Sequence, residues 1–122
     1  MLEPEKREAG LEAYRKSDRD DVLVSPSLTT GVDLPYDLLR FQILPKLPFP
    51  DQRDPVVAAQ KGTELGKRLG LMDTAVTLGQ AYGRIMRADD DGGYTYLLDA
   101  NWNWARGAMR PYMAPWFMEA IV

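Results

Sequence analysis

Two apolar runs, LLRFQILPKLPFP (Leu38–Pro50) and YTYLLD (Tyr94–Asp99), are separated by long stretches with helical spacing, and this constrains the fold more than any other feature. Strands that alternate with helices pair in parallel and take helices as cover. A third run, DVLVSP (Asp21–Pro26), is β-branched and stopped by Pro26, which reads as a buried strand. Pro45 has no N–H to donate to a ladder, so it belongs at a strand end or a bulge. The expected class is α/β, a partial domain with a mostly parallel sheet of about three strands under helices.

The helices have their own start and stop signals. Pro4 suits a first helical position, Glu3, Glu5 and Glu8 come early, and Arg15 and Lys16 come late, so the first segment is a helix aligned with its dipole, although its apolar face (Leu11, Tyr14) is thin. Asp54 and Pro55 open a second helix expected to close at Gly70, weakened by Gly62 and Gly66. Asp73 is read as the cap of a third helix running to Arg87, and Pro115 as the start of a last short one, with Trp116 and Phe117 as docking side chains. Gly31 and Pro35 bracket a turn between the first two strands.

A chain of 122 residues has room for one domain, taken here as residues 1–122. Three strands are few for a free-standing covered sheet, which implies that part of a larger domain is absent. Cysteine and histidine are both missing, which excludes disulfides, thiol nucleophiles, imidazole bases and the usual zinc sites. The net charge is −3, so no global positive field draws the chain to nucleic acid or an anionic membrane, and any phosphate chemistry must be local. No apolar run reaches membrane-span length and the charged start lacks a signal-peptide core, so a cytoplasmic location is expected, with no membrane partner.

At about 100° per residue, Leu71, Ala75, Leu78, Tyr82, Ile85 and Met86 fall on one side of the third helix, and Gln80, Gly83, Arg84 and Arg87 on the other. The second side is a narrow polar stripe with a guanidinium fork on successive turns. Such forks stay charged and match phosphate oxygens, and Gly83 leaves the stripe open to close approach. A solvated face of an amphipathic helix is the competing reading of the same residues.

The neighbours bear on that choice. QAYGRIMR (Gln80–Arg87) has the Q-x-x-G-R-x-x-R form of helicase motif VI, and TTGVDLP (Thr29–Pro35) resembles motif V. GGYTYLLDANW and DLLRFQILPKLPFPDQRDPVV resemble the corresponding segments of the DinG and XPD-like branch of superfamily 2 helicases, in the same order along the chain. The resemblance runs from about Val22 to the last tryptophan. It implies the C-terminal part of the second RecA-like domain of an ATP-dependent DNA helicase.

Several roles follow from the resemblance. Arg84 and Arg87 are the motif VI arginine finger at the γ-phosphate, and Gln80 hydrogen-bonds near the phosphates or the attacking water. Gly31 and Asp33 lie in the motif V coupling loop and, with Gly83, count among the nucleotide-contacting positions. Thr29 and Thr30 offer donors to DNA phosphates. The two guanidinium groups are expected to face a crevice at the carboxyl-end rim of the sheet. The Walker A lysine and the Mg²⁺-binding acidic box belong to a first half not contained here, so ATP and Mg²⁺ require that partner half, and this chain alone is expected not to hydrolyse ATP. Single-stranded or forked DNA is the other expected partner. A non-enzymatic, helicase-derived module that binds protein or nucleic acid is the alternative.

Three further features have ordinary explanations. GTELGKR (Gly62–Arg68) lacks the spacing and the Ser or Thr of a phosphate-binding loop. The contiguous Asp89–Asp91 do not alternate as calcium ligands do and read as a helix exit. Trp116 is read as packing, whereas Trp102 and Trp104 are open between packing and stacking on bases.

Overall fold

A computed structural model describes residues 4–24, 34, 36–84 and 92–122. Helix α1 (Pro4–Arg15) forms as its charge pattern predicts. Glu12 pairs with Lys16 at 3.1 Å and with Arg15 at 3.7 Å across its last turn. The Tyr14 hydroxyl ties the helix to the chain by donating to the Leu38 carbonyl at 2.9 Å.

The run after α1 departs from expectation. Residues 21–24 form no strand, and Val22 and Val24 are 75% and 85% exposed. β-branched composition favours a strand only where a neighbour pairs with it and covers it, and neither happens at these positions. The sheet of the described residues therefore has two strands rather than about three.

Strands β1 (Phe41–Leu44) and β2 (Tyr94–Leu97) pair in parallel, Phe41 opposite Tyr94 through Leu44 opposite Leu97. Pro45 follows β1 directly, as its missing donor requires. Gln42, Leu44, Thr95 and Leu97 are half-buried, while Phe41, Ile43, Tyr94 and Tyr96 face outward and are exposed.

Helix α2 (Pro55–Lys61) starts where Asp54 and Pro55 predict, the Asp54 carboxylate accepting from Val56 N at 2.8 Å. It stops nine residues before Gly70. The chain turns at Gly62, and Thr63 caps a 20-residue helix α3 (Glu64–Gly83), its hydroxyl accepting from Gly66 N at 3.0 Å. Gly66 fixes the angle between the two helices: a Cβ there would lie 1.9 Å from the Gln60 carbonyl oxygen, so only glycine lets α3 come this close to α2. α3 then runs straight through Gly70 and Asp73. A mid-helix glycine costs about 1 kcal/mol, and burial of Ala75 and Leu78 on the far side of Gly70 outweighs it.

The core lies between the inner face of the sheet and α3, closed by helix α4 (Trp102–Met109), a 3-10 turn at Arg110–Tyr112 and helix α5 (Pro115–Glu119). Leu47, Ala75, Leu78, Ala105, Met109 and Phe117 are its buried members, with Ala105 and Met109 wholly inaccessible. The two loops leaving the carboxyl ends of the strands are clamped together by Asp99. Its carboxylate accepts from Leu47 N and from Asn101 N, each at 2.9 Å. The Leu47 bond is the main reason its pKa lies below the ordinary aspartate value.

Candidate functional site

The last turn of α3 is where the motif VI residues fall. Gln80 is exposed, Ala81 is 3% exposed and faces inward, and Gly83 and Arg84 are half-buried at the helix end. Gln80 and Arg84 are four apart and so share one side of the helix, with Gly83 beside them. Among the described residues nothing lies within 4 Å of the point where a Cβ on Gly83 would stand, so their packing does not demand glycine at that position. Arg84 is the C-cap.

Among the described residues, the sheet and α5 both hold this turn against the rest of the fold. From the sheet, the Gln42 side-chain amide donates to the Ala81 carbonyl at 2.7 Å and to Thr95 Oγ1 at 2.9 Å. From the opposite direction, the Tyr82 ring stacks on Trp116 with centroids 5.8 Å apart and meets the edge of Phe117 at 5.4 Å. The docking role expected of Trp116 and Phe117 is thus directed at the turn that ends in Arg84.

The electrostatics at Arg84 are those of a cation held at a cost. Burial is the main cause that lowers its pKa, and like-charge repulsion from Arg7 of α1 is the second. A guanidinium remains charged regardless. A positive group near the negative end of a helix macrodipole is favoured by that dipole.

The rim differs from the one expected. The Ala81 carbonyl accepts from Gln42, which also donates to Thr95, and these two are the second residues of their strands, so the end of α3 lies beside the amino ends of β1 and β2. The reason is topological. A crossover helix carries the chain from the carboxyl end of one parallel strand back toward the amino end of the next, so its last turn must finish there. The structure brings Gln80, Gly83 and Arg84 together. Arg87, Gly31, Asp33, Thr29 and Thr30 lie outside the described residues, as do Asp89–Asp91.

The carboxyl-end side has a different character. Phe49 and Trp104 stack there with centroids 5.9 Å apart and planes 4° from parallel, lining a cleft of about 600 Å³ with Val57, Leu69 and Met72. Trp104 donates its indole N–H to Asn101 Oδ1 at 3.1 Å, whereas Trp102 packs against the core. Gly62 and Gly66 of the apparent phosphate loop are accounted for by the α2–α3 turn.

Sequence reasoning missed Gln42, Thr95 and Asp99. A signal was available for the first two: the two-residue period of a strand puts Gln42 on the side of Leu44 and Thr95 on the side of Leu97, so each strand has one polar residue on its inward face.

The chain matches the model of the helicase C-terminal domain family over residues 2–119. It belongs to that family. Within it the chain is similar to the ATP-dependent DNA helicase YoaA of Escherichia coli, 33% identical over 99 residues, covering 76% of this chain and 15% of that protein. It is likewise similar to the ATP-dependent DNA helicase DinG of Photobacterium profundum, 33% identical over 91 residues, 69% of this chain and 13% of that protein. The chain therefore spans about one seventh of the length of these relatives. No solved structure matches it. The small parallel sheet under helices agrees with a partial RecA-like α/β fold, and the relatives agree with a DinG- and XPD-like helicase C-terminal part.

Proposed function

We propose that this chain is the C-terminal module of an ATP-dependent DNA helicase, contributing the motif VI arginine finger and the motif V coupling loop to a partner half that carries the P-loop. In this reading residues 1–122 form one partial module that does not hydrolyse ATP alone. ATP lies between the two halves, and the acidic groups that hold Mg²⁺ are on the partner. Arg84 and Arg87 donate to γ-phosphoryl oxygens as charge develops there, and Gln80 orients the attacking water or a phosphate oxygen. Gly83 leaves the approach open. Gly31 and Asp33 transmit nucleotide state to the DNA contact, and Thr29 and Thr30 donate to DNA phosphates.

One observation carries the reading: in a chain of the helicase C-terminal domain family, Gln80, Gly83 and Arg84 share one side of an anchored helix end. A phosphoryl group fits that side because a guanidinium fork matches its oxygens.

Combining the chain with a P-loop-bearing half tests the reading. DNA-stimulated ATP hydrolysis is expected from the mixture and from neither part alone, and Arg84→Ala is expected to lower kcat by roughly 10³ to 10⁵. Hydrolysis that is indifferent to Arg84→Ala overturns the arginine-finger role.

A non-enzymatic module that binds protein or nucleic acid is the second reading. It draws on the exposed outer sheet face of Phe41, Ile43, Tyr94 and Tyr96, since parallel sheets are ordinarily covered on both faces. The helicase reading accounts for the same face through the remainder of the RecA-like domain. Failure of every P-loop half to yield ATPase activity favours the second.

A further inference from the structure

β1 is an apolar strand with one amide in it, and that amide is spent on α3. Gln42 is opposite Thr95 in the parallel register, and its NH₂ group donates one hydrogen to Thr95 Oγ1 and the other to the Ala81 carbonyl. A carbonyl only accepts, so the amide's orientation is determined by its partner. The Ala81 carbonyl lies in the last described turn of α3 and accepts from the sheet. Ala81 is almost wholly shielded from water, so losing this donor removes a buried hydrogen bond between helix and sheet. Arg84 follows three residues later, within the same turn.

We propose that Gln42 is a positioning residue for Arg84: its amide fixes the last turn of α3 to the sheet and thereby fixes where the guanidinium is presented. This rests on the arginine-finger reading above. Glutamine is the side chain the geometry requires. A glutamate of the same shape sets a negative carboxylate against a carbonyl oxygen at the negative end of a helix, and leucine fills the space without donating. Displacement of a catalytic group by about 1 Å costs about 100-fold in rate, so a turn released from the sheet impairs hydrolysis while leaving nucleotide binding largely intact.

The test uses the full chain combined with the P-loop-bearing half, measuring kcat and KM for ATP and the melting temperature of each variant. Gln42→Leu is expected to lower kcat about 10- to 100-fold with KM changed by less than about 2-fold. In an Arg84→Ala background the same change is expected to cost nothing more, because both act through one group. Gln42→Glu supplies the readout that a merely structural role does not move. Its kcat is depressed at pH 8 and recovers toward the unaltered chain as the pH falls and the protonated carboxyl regains an O–H to donate. Thr95→Val, which spares the Ala81 bond, is expected to leave kcat within about 3-fold. If Arg84→Ala lowers kcat but Gln42→Leu and Gln42→Glu do not, or lower it additively with Arg84→Ala, the positioning role is overturned and the arginine finger stands. If Arg84→Ala has no effect, or the mixture has no ATPase activity, the underlying reading is overturned and the inference falls with it.

Discussion

The two ends of α3 are built by different means. At its start the chain solves its own problem: Thr63 caps the first turn from within, and Gly66 lets α2 lie against the backbone of its immediate neighbour in sequence. At its finish the contacts seen among the described residues come from far along the chain. The last turn is held by Gln42, 39 residues earlier, and by Trp116 and Phe117, more than 30 residues later, and it ends in a cation that burial and Arg7 both disfavour. The first end is optimised for folding. The second is held by groups distant in sequence, and among the described residues nothing lies where a Cβ on its Gly83 would stand.

The contrast can be broken experimentally, and the largest effect belongs to the finish. Arg84→Ala is expected to remove roughly 10³- to 10⁵-fold of the ATPase rate of the combined halves at an unchanged melting temperature, which differential scanning fluorimetry would check. The converse belongs to the start. Gly66→Ala forces a methyl against the Gln60 carbonyl and is expected to destabilise the fold by about 1–3 kcal/mol, seen in denaturant titration, with no loss of rate beyond the folded fraction.

Gly83→Ala sharpens the comparison because it separates the two demands. The position is helical, with open space at the Cβ among the described residues, so the substitution is expected to stabilise the chain by about 0.5–1 kcal/mol and yet to lower kcat. Added stability with undiminished ATPase would mean that no ligand approaches that side. The smallest effect concerns the clamp at the carboxyl ends. Asp99 has a folded-state pKa below its unfolded one, so the folded state binds fewer protons there. Its contribution is present above the unfolded pKa, near 4, and disappears as the pH falls through the folded value. Asp99→Asn is expected to lower the melting temperature at pH 7 and to flatten its decline between pH 5 and pH 3, read from thermal melts across that range.

Much of the fold was legible because its signals are local. Asp54 with Pro55, Pro45 after a strand, Pro115 before a helix and the inward pair Ala75 and Leu78 all act through near neighbours, and each was read correctly. What failed was decided at a distance. Gly62 and Gly70 look alike in sequence, but only the turn at Gly62 is reinforced by the close approach at Gly66, so the helix break falls there and Asp73 sits in mid-helix instead of capping one. α4 went unread although Trp102, Ala105 and Met109 are spaced three and four apart, because Asn101 provides no side-chain cap and Gly107 obscures the pattern. Val22 and Val24 have strand chemistry without a strand to join. At the site, the helix face of Gln80, Gly83 and Arg84 was readable from a 100° step. Its rim was not, since that depends on the direction in which a crossover helix returns.

The register of β1 with β2 also determines when the site comes into being during folding. Gln42 and Thr95 are 53 positions apart, so closing that pair early would carry a heavy entropic cost for the intervening loop. Formation of α2 and α3 first shortens the gap, which makes strand pairing a late event and the Gln42–Ala81 bond later still. Hydrogen exchange should accordingly find the amides of the paired strands opening before those in the middle of α3. A chain under thermal stress would then lose the alignment of Arg84 while most of its helical signal persists.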